Sequence, residues 1–312
     1  IDYAGSSEAV TIDLLANSGL GGDAEGDLII GVENVVGTTG NDILIGNMVN
    51  NQLDGCSGND TLAGGQGADT LIGGAGSDTV DYSSSNAAVT INLQTGVGTG
   101  GDAQGDTFVA IENITGSSLA DNLIGDHQAN RLIGNAGNDT LVGGAGADTL
   151  VGGSGFDTAS YSGSTSAVTV ALDGSQGIGG DAQGDVINDI EYLEGSDFND
   201  VLSGDALANV LIGGSGDDTL TGAYGADTLM GGSGVDTADY STSAASVSVN
   251  LGNGSSSGGD AAGDVLVGIE NVSGSINADT LIGNDAGNVL RGAAGNDLLV
   301  GGGGADTLNG GT

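Results

Sequence analysis

Tyr3, Tyr82, Tyr161 and Tyr240 stand 79 residues apart, and the spacing never slips. The same interval separates Asp23, Asp102, Asp181 and Asp260, and again Glu33, Glu112, Glu191 and Glu270. Flexible linkers tolerate changes of length at little cost. A length held fixed through 312 residues predicts that nearly every position stacks on its counterpart, as in a solenoid. Each unit opens with a 34-residue insert, framed in the second copy by Tyr82-Ser83, Ala88-Val-Thr-Ile-Asn-Leu93, Gly100-Gly-Asp-Ala-Gln-Gly-Asp106 and Ile111-Glu-Asn-Ile114. A block of five nonapeptides follows. The inserts are residues 1–36, 82–115, 161–194 and 240–273, and the blocks are 37–81, 116–160, 195–239 and 274–312. Ile1-Asp2-Tyr3 aligns with Val80-Asp81-Tyr82, and the last block stops in mid-pattern. Residues 1–312 are therefore expected to be one continuous excerpt of a longer array.

The nonapeptide dictates its own geometry. In Gly64-Gly-Gln-Gly-Ala-Asp-Thr-Leu-Ile72 a glycine-rich turn leads to Asp69 at position six and then to a short apolar stretch. One inward apolar residue in nine is too sparse for a helix, which needs three or four per two turns. Turn plus short strand makes half a coil. Two nonapeptides then close an 18-residue coil, with residues 18 apart stacked at about 4.8 Å. The absence of Pro suits an unbroken ladder, and an aromatic content of 3% demands a thin core of Leu, Ile and Val. The expected fold is all-β, a parallel β-roll. Val89-Ile91-Leu93, Phe108-Val109-Ile111 and Ile114 in the insert suggest three further half-coils, giving four coils per unit.

Charge limits the partners. Forty-two Asp and Glu face two cations, Arg131 and Arg291, for a net charge of −40. Nucleic acid and anionic membrane surfaces both require Lys and Arg, so neither is a partner. No apolar run is long enough for membrane insertion. Packed carboxylates still need a counter-charge. One His and one Cys cannot build repeated zinc sites. Calcium takes six to eight oxygens in flexible geometry, and glycine turns supply carbonyls beside the carboxylates. The best candidate ligands are Asp60, Asp69, Asp78, Asp139, Asp148, Asp157, Asp218, Asp227, Asp236, Asp297 and Asp306, followed by Asp42, Asp121, Asp200 and Asp279 of the first nonapeptides. Second nonapeptides carry Asn51, Asn130, Asn209 and Asn288 instead, which predicts weaker sites there. A second acidic set lies in the inserts: Asp23, Asp27, Asp102, Asp106, Asp181, Asp185, Asp260 and Asp264. It reads either as further ligands or as Asp-capped turns. Glu33 and its three counterparts are expected to face outward. Ligand supply suggests roughly 10 to 20 calcium ions.

The sequences GGQGADTLI, GGAGADTLV and GGSGVDTAD resemble the RTX (repeats-in-toxin) nonapeptide, G-G-x-G-x-D-x-U-x with U aliphatic. The resemblance covers all four blocks and implies a right-handed parallel β-roll. It also implies calcium held between a turn and the next turn stacked on it, by carbonyls and the position-six Asp. It further implies one-step export from the cell and folding in extracellular calcium.

The remaining residues point to no enzyme. The four repeated Tyr are expected to cover the roll where a block passes into an insert. His127 has no partner cluster for zinc or catalysis, and Ser has no repeated base. Cys56 replaces a turn glycine, as a tolerated small residue or an interchain link. A secreted or cell-surface structural or adhesive array is the leading expectation: a stalk, surface-layer or filament segment. Its partners are calcium and neighbouring repeats of the same chain or copies of itself. The alternative is a secretion and folding module attached to a hydrolase or toxin.

Overall fold

The computed structural model describes residues 1–312, in two compact units, 1–157 and 158–312. Strands supply all the regular structure apart from four single 3-10 turns, at Gly22–Ala24, Gly101–Ala103, Gly180–Ala182 and Gly259–Ala261. Most strands have three residues, because glycine turns leave only that much extended chain in each nonapeptide. The middle residue is buried and its neighbours are half-exposed, as in Thr61–Ala63 and Thr70–Ile72. This alternation is what a pleated strand with one inward side chain must show.

In the first unit the strands stack into two sheets. One contains Thr11–Asp13, Ile43–Ile45, Thr61–Ala63 and Thr79–Asp81, then Asn113–Thr115, Arg131–Ala136 and Thr149–Ser154, all parallel. Within a block the register is 18 residues, with Leu44 on Leu62 and Leu62 on Val80. The inward residues Ile12, Leu44, Leu62, Val80, Ile114, Leu132 and Leu150 are all fully buried. Leu53, Leu71, Ile91, Leu123 and Leu141 form the facing ladder and are equally buried. The chain is thus a parallel β-roll with a one-residue-deep core on each side.

The inserts depart from the expectation of three half-coils. In the second copy, Thr90–Asn92, Val97–Thr99 and Thr107–Val109 form a meander in a single sheet. Its outer strands are parallel to their nonapeptide neighbours, Asn122–Ile124 and Thr70–Ile72, while Val97–Thr99 runs antiparallel. Asn113–Thr115 then crosses to the other sheet. The insert therefore makes two passages instead of three. The inward residue of its antiparallel strand is Gly98, where a Cβ would come within 2.8 Å of the Ala103 carbonyl. A strand with glycine at its inward position leaves no apolar mark in the sequence.

Five passages and two make seven, an odd number, so consecutive inserts place their meanders in opposite sheets. In the first unit the opening meander begins on the strand pairing with Ile43–Ile45, and the second begins on the opposite sheet with Asn122–Ile124. The second unit repeats the alternation. Thr169–Ala171 joins the sheet of Val201–Ser203, and Ser248–Asn250 joins the other, beside Thr280–Ile282.

Truncating a stacked leucine leaves a cavity that the adjacent coils cannot fill. Leu132→Ala is expected to lower the unfolding free energy in calcium by about 2–5 kcal/mol. Leu207→Ala, at a position 62% exposed, should leave it within about 0.5 kcal/mol. Chemical denaturation of the two variants checks this, and similar losses in both would contradict a stacked core.

Candidate metal centre

The turns can stack only because glycine occupies them. Gly74 and Gly76 have φ of 106° and 153°, and a side chain on either would run into the carbonyls of Cys56 and Gly58 one coil back. Carbonyl oxygens therefore pack close against the next turn, beside the position-six carboxylates.

Those carboxylates form a ladder. The Asp42 N–H donates to Oδ1 of Asp60 at 2.7 Å, and the Asp60 N–H donates to Oδ1 of Asp78 at 2.7 Å. The Asp121 N–H donates to Asp139 and that of Asp139 to Asp157, at 2.7 and 2.8 Å. In the second unit Asp200 donates to Asp218, and Asp218 to Asp236. Asp69, Asp148, Asp227 and Asp306 receive the N–H of Asn51, Asn130, Asn209 and Asn288 in the same way. Asp297 receives that of Asp279. Each carboxylate thus spends Oδ1 on the coil before it.

The second oxygen separates the sites. Oδ2 of Asp60, Asp69, Asp78, Asp139, Asp218, Asp227, Asp236 and Asp297 is buried and has no hydrogen-bond donor. An ionised carboxylate can only accept, so a buried orphan of this kind calls for a cation. Desolvation pushes the Asp60 and Asp227 pKa up to about 7, and those of Asp69, Asp139 and Asp218 to about 6. Like charge adds to this effect, Asp78 acting on Asp60 and Asp236 on Asp218. No three His, Cys, Asp or Glu side chains converge on one point, so any cage must be completed by turn carbonyls. Buried carboxylate oxygens beside carbonyls form an all-oxygen donor set, which suits calcium and lacks the nitrogen and sulfur that zinc prefers.

Asp42, Asp121, Asp200 and Asp279 are arranged differently. Oδ2 of Asp42 accepts the Thr38 N–H at 2.5 Å, while Oδ1 accepts both the Thr38 hydroxyl and the Val10 N–H. Ser117, Ser196 and Ser275 satisfy the other three in the same manner. The signal was a Ser or Thr at position two of every first nonapeptide. Asn51 also turns its oxygen inward, accepting the Asn47 N–H at 2.8 Å while its amide donates to the Glu33 carbonyl.

The insert acids divide as well. Asp27, Asp106, Asp185 and Asp264 accept the hydroxyls of Tyr3, Tyr82, Tyr161 and Tyr240 at 2.8, 2.6, 2.9 and 2.9 Å. Asp106 and Asp264 also accept the N–H groups of Asp69 and Asp227, carrying the ladder from block into insert. The four buried tyrosines are thus anchors as well as covers, and Tyr82 meets Phe108 edge-on at 6.3 Å. Asp23, Asp102, Asp181 and Asp260 instead open the 3-10 turns, with their N–H groups donating to Ser6, Ser85, Ser164 and Ser243. Glu112 and Glu270 do not simply face outward. Their Oε2 atoms accept the N–H groups of Asp78 and Asp236 at 2.9 Å, closing the ladder at the block's last turn. Cys56 sits at φ 71° with a free thiol, whose pKa is raised by burial and by Asp54. His127 is exposed and approaches only Gln94, at 3.5 Å.

The profile of the RTX calcium-binding nonapeptide repeat family matches residues 30–55, 54–86, 124–159, 187–206, 203–238 and 282–312, more than half of the chain. The chain belongs to that family. Its repeats are accordingly calcium-binding repeats, and the fold is the family's β-roll. Among solved structures, the extracellular lipase LipA from Serratia marcescens is similar at 19% identity with a TM-score of 0.22. That match covers 66% of this chain and 34% of the lipase. No curated protein matches the chain.

Two outcomes follow from the orphaned oxygens. Asp60, Asp69, Asp139, Asp218 and Asp227 have folded pKa values raised from 3.8 to about 6–7. In the metal-free roll their stabilising contribution is complete below about pH 4 and is lost as pH rises through 6–7. Calcium needs the ionised form, so the calcium midpoint by circular dichroism should shift to higher concentration as pH falls from about 7.5 to 5.5. Identical midpoints would contradict carboxylate ligation. Tyr82→Phe strips one donor from buried Asp106 and should cost about 1–3 kcal/mol without changing the number of ions bound. Calorimetric titration and denaturation together would expose any loss of ions.

Proposed function

We propose that the chain is a calcium-folded extracellular repeat array with a structural or adhesive role, as a stalk, surface-layer or filament segment. The observation that carries this reading is the row of buried carboxylate oxygens lacking donors, in a chain of net charge −40 with two Arg. Asp60, Asp69, Asp78, Asp139, Asp218, Asp227, Asp236 and Asp297 are the leading ligands, with Asp148, Asp157 and Asp306 at equivalent positions. Turn carbonyls complete each cage. The Ser- and Thr-capped Asp42, Asp121, Asp200 and Asp279, and the Tyr-anchored insert aspartates, have less capacity to spare.

Extracellular calcium modules bind at about 10⁻⁴–10⁻³ M, above the cytoplasmic calcium level. Self-repulsion then keeps the chain expanded inside the cell, and roughly 10 to 20 ions drive folding outside. Uniform repetition supports a structural role, since the same contacts recur in each copy without singling out a reactive position. The expected partners are calcium and further copies of the repeat.

Circular dichroism during calcium titration should show cooperative gain of β-structure, reversed by EGTA. Signal that persists through chelation would refute calcium-driven folding. Asp69→Ala and Asp148→Ala should raise the calcium midpoint, while His127→Ala should not. A catalytic domain encoded beside a single short array would favour a folding and secretion module over the structural role.

A further inference from the structure

The last turn of a block stacks on chain that is not a nonapeptide. In the first block, Thr79–Asp81 lies beside Asn113–Thr115 of the insert, with Thr79 opposite Asn113. Glu112 therefore falls in the slot that a position-six Asp fills elsewhere. Glu270 stands in the same slot beside Asp236. The turn leading into this slot is short. Six residues join consecutive strands within a block, as between Thr61–Ala63 and Thr70–Ile72, whereas Ala110, Ile111 and Glu112 alone join Thr107–Val109 to Asn113–Thr115.

The short turn nevertheless presents the same oxygens as the long one. Within a block, a Cβ on Gly213 would collide with both Asp218 Oδ2 and the Gly231 carbonyl of the next coil, so these two oxygens face one point. At the junctions, a Cβ on Gly73 would collide with Asp78 Oδ2 and the Ala110 carbonyl, and one on Gly231 with Asp236 Oδ2 and the Gly268 carbonyl. Asp78 and Asp236 are fully buried, and neither Oδ2 has a hydrogen-bond donor. Glu112 and Glu270 each accept one N–H through Oε2, from Asp78 and Asp236, and a carboxylate has lone pairs for more than one such bond. The next residues in the row are neutral. Asn130 and Asn288 donate their side-chain amides to the carbonyls of Glu112 and Glu270 at 2.8 Å. The row of charge thus ends in a pair of carboxylates, which matches one divalent cation, and every donor facing it is oxygen.

We propose that each junction from block to insert holds a calcium ion of its own, with an insert glutamate as ligand. Glu112 pairs with Asp78 and Glu270 with Asp236, and the Ala110 and Gly268 carbonyls complete the set together with turn carbonyls. Glu191 follows Asp157 by the same 34 residues and takes the same role. The ion staples an insert to the block before it, where the nonapeptide pattern has run out. The inference rests on the reading of the position-six Asp as calcium ligands and adds to them a residue that the nonapeptide does not contain.

Replacing Glu by Gln discriminates, because Gln keeps an acceptor for the Asp N–H and removes the charge. Equilibrium dialysis against calcium, with bound metal measured by atomic absorption, compares the unaltered chain with the triple variant Glu112→Gln, Glu191→Gln and Glu270→Gln. A loss of about three ions per chain is expected, and about one for each single substitution, one ion per junction. Glu33→Gln is the control: Glu33 is exposed, has no position-six Asp stacked before it in this chain, and should cost no ion. Circular dichroism in calcium checks that each variant is folded, and the single variants supply the count if the triple variant is not. An unchanged count in folded variants would overturn the proposal and leave the glutamates as hydrogen-bond acceptors only. An equal loss from Glu33→Gln would overturn it as well. A chain that takes up no calcium at all would refute the proposed function itself, and the junction ions with it.

Discussion

One contact recurs through the roll and fixes its geometry: a position-six carboxylate accepting the backbone N–H of the residue one coil earlier. It ties Asp60 to Asp42 and Asp139 to Asp121 at hydrogen-bond distance and draws the charge inside the stack. Having placed a carboxylate there, the fold must neutralise it. With two Arg in the chain, neutralisation cannot come from side chains. The same contact that orders the coils therefore leaves buried carboxylate oxygens that calcium, which repeats of this family bind, is suited to neutralise.

In the inserts, hydrogen-bond donors of the protein itself reach the buried carboxylates. Where the nonapeptide rhythm breaks, Asp106 continues the ladder by accepting from Asp69, and its other oxygen is held by the Tyr82 hydroxyl. Glu112 does the equivalent for Asp78 from a longer side chain. Hydroxyls likewise donate to the carboxylates at the first turn of each block, Thr38 to Asp42 and Ser117 to Asp121. The first turn of each block carries a carboxylate satisfied within the protein, as does the insert that follows, whereas the third to fifth turns carry those that are not, Asp60, Asp69 and Asp78 in the first block.

Much of this was written in the sequence. The 18-residue register follows from two nonapeptides, and the inward Leu, Ile or Val at position eight marks nearly every core residue, Leu62 and Leu71 among them. The difference between Asp60 and Asp42 was present in the Thr at position two but has meaning only once the hydroxyl is seen to fold back. The Tyr82–Asp106 pair was also visible, as a constant separation of 24 in four copies. Spacing alone cannot distinguish a hydrogen-bonded partner from a coincidence of repeats. The antiparallel strand Val97–Thr99 was hidden for a different reason: its inward residue is Gly98, and hydrophobic periodicity cannot register a residue without a side chain.

The odd number of passages in each unit carries a consequence for how such an array can change. Since a meander leaves its sheet and reappears in the opposite one in the next copy, the sequence recurs after one unit but the architecture only after two. Gaining or losing a single unit preserves every local contact yet transposes front and back for all that follows. Duplication in pairs would keep surface features on their original side, whereas duplication one at a time would deal them alternately to both.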